Sequence, residues 1–176
     1  SNPNAPGSFP NISVGADSVF DFDGNSTYID LGTASKTDFN FTGPFTLSAW
    51  AKKTGTGAGA LPTIFNSPKN PQGQSGYILC EHVNRWKFYV FDSGTSNWKV
   101  SQADTTIVND SWYNITAIYD GSIIKLYVNG DLQADTETVT GVQYTGINQN
   151  AFIGEYANSH FNDEICNVQL WDTDLY

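Results

Sequence analysis

Two tryptophans set among polar groups, Trp86 in His82-Val83-Asn84-Arg85-Trp86 and Trp98 in Ser96-Asn97-Trp98, offer the chemistry that recognises sugars. A pyranose stacks its apolar face on an aromatic ring while Asn, Arg or His side chains orient its hydroxyls. Trp86 and Trp98 are therefore the expected platform, with His82, Arg85, Tyr89 and Asn97 near in sequence to add hydrogen bonds. Tyr156 and His160, at the two ends of Tyr156-Ala157-Asn158-Ser159-His160, are candidates for the same surface.

A second group of side chains is rich in oxygen. Calcium takes about six to eight oxygen ligands, and Asp21, Asp23, Asn25 and backbone carbonyls near Gly24 could supply several of them from one turn. Asp163 or Glu164 would join them from the last strand, so a structural calcium is the expected cofactor. The competing reading makes Asp21 and Asp23 the solvated face of a strand, and the spacing does not match an EF-hand loop.

Catalytic patterns are missing. A retaining glycosidase needs two carboxylates about 5 to 5.5 Å apart, and Glu81, Glu137, Glu155 and Glu164 are scattered among neighbours that form no such motif. His82 and His160 are the only two histidines, and no serine sits in a nucleophile elbow. Cys80 and His82 share one strand face, but nothing marks the thiol as activated, so an inert buried thiol is the reading. Gly55, Gly57 and Gly59 lack the strand-to-helix junction and the Lys-Ser or Lys-Thr of a phosphate loop. No catalytic residue is assigned.

These side chains must be held by strands. From Val19 onward short alternating runs are broken by turn residues about every 8 to 12 positions, as in sandwiches and barrels. Strands are expected at Phe45 to Lys52, Gly76 to Val83, Trp86 to Phe91, Trp112 to Tyr119, Ala151 to Gly154 and Ile165 to Trp171. In Val19-Phe20-Asp21-Phe22-Asp23 both phenylalanines should face the core, because strand side chains alternate. Asn129-Gly130 after Ile124-Lys125-Leu126-Tyr127-Val128 predicts a tight hairpin turn. Thr54 to Leu61 and Ser67 to Gln74 read as loops. Residues 1–16, rich in Pro, Gly, Asn and Ser, read as a linker or approach segment, and 17–176 as one domain.

Aromatics at 14% against 15% charged residues describe a chain that buries rings between sheets. The formal charge of -10 repels the phosphate backbone, so nucleic acid is not an expected partner. No apolar run approaches the roughly 20 residues of a spanning helix, so no membrane insertion is expected. No signal peptide opens the chain, and the absence of Met even at residue 1 reads as processing or excision from a larger chain. Cys80 and Cys166 are too few for a disulfide scaffold, and whether they pair is left open. Sequons at Asn11, Asn25, Asn40, Asn109 and Asn114 arise readily by chance in a chain so rich in Asn, Ser and Thr and establish no glycosylation.

Phe22-Asp23-Gly24 with Tyr28-Ile29, then Phe45 to Trp50, Trp112 to Ala117 and Leu126 to Gly130, occur in the order typical of laminin-G-like domains, which this chain resembles. Asp163 to Asp172 is similar to the closing strand of these domains and of pentraxins. The resemblance, over roughly residues 17 to 176, implies an all-β antiparallel jelly-roll sandwich of the concanavalin A-like kind. It also implies frequent use in recognising extracellular ligands, often with bound calcium. Trp50, Trp112 and Trp171 fall where that pattern expects framework residues of the core. Cys166 stands where many relatives carry Asp, and the Tyr156 to His160 loop lacks the acidic ligands of pentraxin calcium loops. The expectation is a non-catalytic, lectin-like carbohydrate-binding module of a larger secreted, cell-surface or virion protein, with a polysaccharide or glycan as partner. A structural or adhesive domain that contacts protein without binding sugar is the alternative, and a polysaccharide-degrading enzyme stands last.

Overall fold

In the strand β3 (Phe45–Lys53), Phe45, Leu47, Ala49 and Ala51 are buried in the core while Ser48, Trp50 and Lys52 point the other way. That two-residue period, repeated through the chain, builds the antiparallel jelly-roll sandwich described by the computed structural model, which covers residues 19–55 and 59–176. The expected linker at 1–16 lies outside the described residues.

One sheet runs β1 (Phe20–Asp23), β15 (Asn162–Trp171), β3, β8 (Trp112–Tyr119), β9 (Ile123–Val128) and β10 (Asp131–Leu132), with β11 (Glu137–Thr138) also on β9. The other runs β2 (Ile29–Asp30), β12 (Phe152–Ile153), β4 (Thr63–Asn66), β5 (Tyr77–Glu81), β6 (Trp86–Asp92) and β7 (Asn97–Gln102). A short ribbon, β13 (Glu155–Tyr156) with β14 (Ser159–His160), follows β12. Every pairing is antiparallel, and neighbours such as β15 and β3 lie far apart in the chain. Aromatic rings fill the space between the sheets. Phe45 lies 4.4 Å from Tyr77 and 5.3 Å from Phe41, ring centre to ring centre.

The hairpin at Asn129-Gly130 forms as expected, with φ of 53° and 88° and Val128 opposite Asp131. Phe22 is buried against Gly154, where an added Cβ would strike its ring. Phe20, expected beside it in the core, is 40% exposed. It sits at the start of an edge strand, at the rim of a small apolar crevice with Ile29, Leu31 and Ile153.

The tryptophans are sorted differently from the expectation. Trp50 and Trp112 are 40% and 37% exposed, and Trp171 is half-buried. Trp50 shares its strand face with Ser48 and Lys52, and Lys52 pairs across to Trp112, so these rings line the outer surface of the seven-stranded sheet. Trp86 takes the inward set of β6 with Phe88 and Val90.

Candidate functional site

The outward set of the six-stranded sheet contains the groups that could touch a ligand. In β5 and β6 the residues between core positions are Ile78 and Tyr89, which face each other across the ladder. Trp98 on β7 lies beside them, its ring 6.2 Å from Tyr89 and 5.3 Å from Phe91, both nearly edge-on. His82 follows the end of β5, and its Nδ1 is 2.8 Å from the Tyr89 hydroxyl. Leu61 and Ala60, before β4, and Tyr156, from β13, close the sides. The result is a cleft of about 310 Å³ with aromatic walls and a histidine at one end.

Burial, with the positive charge of Lys87, lowers the His82 pKa below its ordinary value, so the ring is neutral at pH 7. In that state the Tyr89 O–H can donate to Nδ1 and leave Nε2–H free to donate to a ligand hydroxyl. Burial raises the Tyr89 pKa, so its hydroxyl stays protonated.

His82, Tyr89, Trp98 and Tyr156 are thus brought together. Four other expected residues are not. Trp86 is 1% exposed, stacked 6.3 Å from Phe161 and edge-on to Tyr113 in the core, and offers no face to a ligand. The turn before it consists of Val83-Asn84, and Trp86, the first residue of β6, takes the inward side of that strand. Arg85 spends its guanidinium on the carbonyls of Ala103 and Asp104. Asn97 donates to Thr95 in the β6–β7 turn, and His160 packs against Tyr28 beyond the cleft. Ala60, Leu61 and Ile78 are lining residues that sequence reasoning missed, because an apolar residue in a loop or strand carries no mark of which surface it joins.

Two further cavities adjoin the cleft. A wide trough of about 1000 Å³ shares Ala60 and His82 with it and includes Lys53, Glu81 and Asn84. There the Lys53 ammonium is 3.4 Å from Glu81 and 3.3 Å from the Asn84 amide oxygen, so the charges are mutually satisfied. Tyr156 also lines a polar cavity of about 370 Å³.

The five residues expected around calcium do not form one cage. Register places Asp21 beside Glu164 and Asp23 beside Asn162, while Asp163 sits opposite Phe22 on the other face of the sheet. Asp23 already accepts the backbone N–H groups of Asn25, Ser26 and Thr27 and both side-chain hydroxyls, which holds its carboxyl well below the usual range. Glu164 pairs with Lys52, and Asp163 accepts from the Thr54 N–H. Among the described residues no group of three or more His, Cys, Asp or Glu is placed to hold a metal.

None of the three cavities brings two carboxylates together among the described residues. The aromatic cleft has none, the trough has Glu81 and the polar cavity has Glu155. The two-carboxylate chemistry of glycoside hydrolysis has no seat in them.

Known structures share this architecture. A carbohydrate-binding module of the Ruminococcus gnavus sialidase, solved with α2,3-sialyllactose, superposes with a TM-score of 0.70 at 15% identity, covering 90% of this chain and 93% of that one. Domain 4 of an extracellular arabinanase from Geobacillus stearothermophilus, in complex with arabinotriose, gives 0.62 at 18% identity, covering 77% and 63%. The receptor-binding domain of a mosaic C/D botulinum neurotoxin gives 0.61 at 19% identity, where the match covers 85% of this chain but 37% of that one. At these identities the likeness establishes the fold. No curated protein sequence matches the chain. A family profile does match, over residues 23–176, and by it the chain belongs to the laminin-G branch of the concanavalin A-like lectin/glucanases superfamily.

Proposed function

We propose that this domain is a non-catalytic carbohydrate-binding module of a larger extracellular protein, and that it holds sugar in the cleft between Trp98, Tyr89, Tyr156 and His82. The observation that carries the reading is the convergence of three aromatic side chains and a neutral imidazole on one open cleft. Aromatic walls with few, fixed polar groups suit the apolar face and hydroxyl rim of a pyranose. That two of the similar structures were solved with oligosaccharides supports it.

The test is a glycan array followed by titration calorimetry on any hit. Trp98→Ala should abolish binding while leaving the melting curve nearly intact, because the ring lies at the surface of an edge strand. Trp86→Ala should instead destabilise the fold by about 3–5 kcal/mol, the cost of emptying a core site. Full affinity in Trp98→Ala would move the site elsewhere.

A second reading rests on Trp50 and Trp112, exposed on the far sheet beside Lys52, whose ammonium lies 5.6 Å from the Trp112 ring. Exposed tryptophans of this kind suit a protein contact. If no glycan binds, that face becomes the functional one.

A further inference from the structure

The polar cavity lined by Tyr156 contains an ammonium that no carboxylate contacts directly among the described residues. Its lining includes Lys69, Asn70, Gln72, Gly73, Glu155 and Asn158. Lys69 is only 6% exposed, yet among the described residues its ammonium makes no ion pair and donates no hydrogen bond. Its one close partner is the Tyr156 ring, 4.1 Å from Nζ to ring centre. An ammonium has three donors, and those of Lys69 are turned to the solvent of the cavity, where a ligand can reach them.

The surroundings hold the lysine in this position. Its carbonyl accepts the N–H groups of Asn148 and Gln149, both at 3.2 Å. Asn70 bonds Gln74 through both its amide atoms and reaches Thr145 as well. Gly73 stands with φ of 67° where a Cβ would strike the Tyr156 hydroxyl at 2.8 Å, so loop and ring are closely fitted. Glu155 is near enough to raise the lysine's pKa against the lowering by burial, but its Oε1 accepts the Asn158 N–H instead of the ammonium.

Resting on the reading of the cleft as a sugar site, we propose that the ligand is an acidic glycan, and that Lys69 receives a carboxylate or sulfate of the residue next to the one held in the cleft. Tyr156 lines both cavities, so a sugar on its cleft side has its neighbour within reach of the ammonium. A charge-assisted bond there would satisfy donors that the protein leaves open. The anion would enter against the overall charge of -10, so the attraction is local and short-ranged.

The experiment is an NMR titration of the whole domain with cellobiose, the disaccharide glucuronyl-β1,4-glucose, a cellobiose sulfated on its non-reducing unit, and acetate, following the Lys69 side-chain and Tyr156 and Trp98 ring signals. The glucuronyl disaccharide or the sulfate ester should bind about tenfold tighter than cellobiose, and whichever does so identifies the anion. Lys69→Met should erase that preference and leave cellobiose binding unchanged, whereas Lys69→Arg should keep it. Equal affinity for cellobiose and both acidic disaccharides would overturn the proposal, as would a preference that survives Lys69→Met. Acetate binding as tightly as the acidic disaccharides would overturn it too, by showing a general anion hole. If Trp98 responds to no sugar while Lys69 still responds to an acidic one, the cleft reading fails and the anion site stands.

Discussion

Asp23 closes the five-residue turn after β1 single-handedly, with three backbone N–H groups and two hydroxyls directed at one carboxylate. Its lowered pKa has a consequence with a definite sign. The folded state favours the carboxylate more than the unfolded chain does, so this contribution is complete above the ordinary value of 3.8 and is lost as pH falls below it. Asp23→Ala should therefore lower the melting temperature at pH 7, and by progressively less as the pH is taken down below 3.8. Because those donors already hold the carboxylate within the turn, a chelator should leave the wild-type melting temperature unmoved. A clear drop on chelation would show an ion that the described residues do not provide for.

At the scale of elements, the hairpin joining β5 and β6 turns on Val83-Asn84, with φ of 55° and 57°. His82 and Arg85 exchange backbone hydrogen bonds of 2.9 and 3.3 Å across it. This turn favours Asn or Gly, and a β-branched residue there is strained. Val83 is 73% exposed and gains no packing in return. Val83→Asn should stabilise the domain by about 0.5–1 kcal/mol in urea melts, with the slope unchanged. A loss of stability would mean that the valine makes a contact beyond the described residues.

The same elements show what the sequence disclosed. Trp112 to Tyr119 and the Asn129-Gly130 turn were legible because one face alternates cleanly and the turn chemistry is specific. The strand β4 was not, since all four of its residues are buried and no alternation marks it. In β6 the sets Trp86-Phe88-Val90 and Lys87-Tyr89-Phe91 are both aromatic-rich, and the one charge, Lys87, is a slight mark of which set faces outward. The cleft was half legible for that reason: Tyr89 and Trp98 stand out by type, while Trp86 stands out equally and is buried. Lys69 was invisible, because its burial comes from packing against residues near 148 and 156, and in the sequence it is one residue of a Pro-rich loop.

Across the whole molecule, the two cysteines belong to different sheets and to the faces turned away from the shared core, Cys80 fully covered and Cys166 half-buried. Cys80 alternates with inward Tyr77 and Leu79 on the six-stranded sheet, whereas Cys166 pairs with outward Trp50 on the other. Packed sheets lie about 10 Å apart, beyond the roughly 7 Å between Cα atoms that a disulfide tolerates. Both thiols are free, and burial raises the pKa of each. A thiol reagent should modify Cys166 in the native protein and Cys80 only after unfolding, as read by mass spectrometry of the digested chain. Equal labelling of the two would contradict this packing. Tyr156, finally, is the wall shared by the aromatic cleft and the lysine cavity. A polymer straddling that wall would have to present its uncharged and charged units in one order along the chain. Such a domain would read the direction of its polymer, and its parent protein would be set down facing a fixed way along the strand.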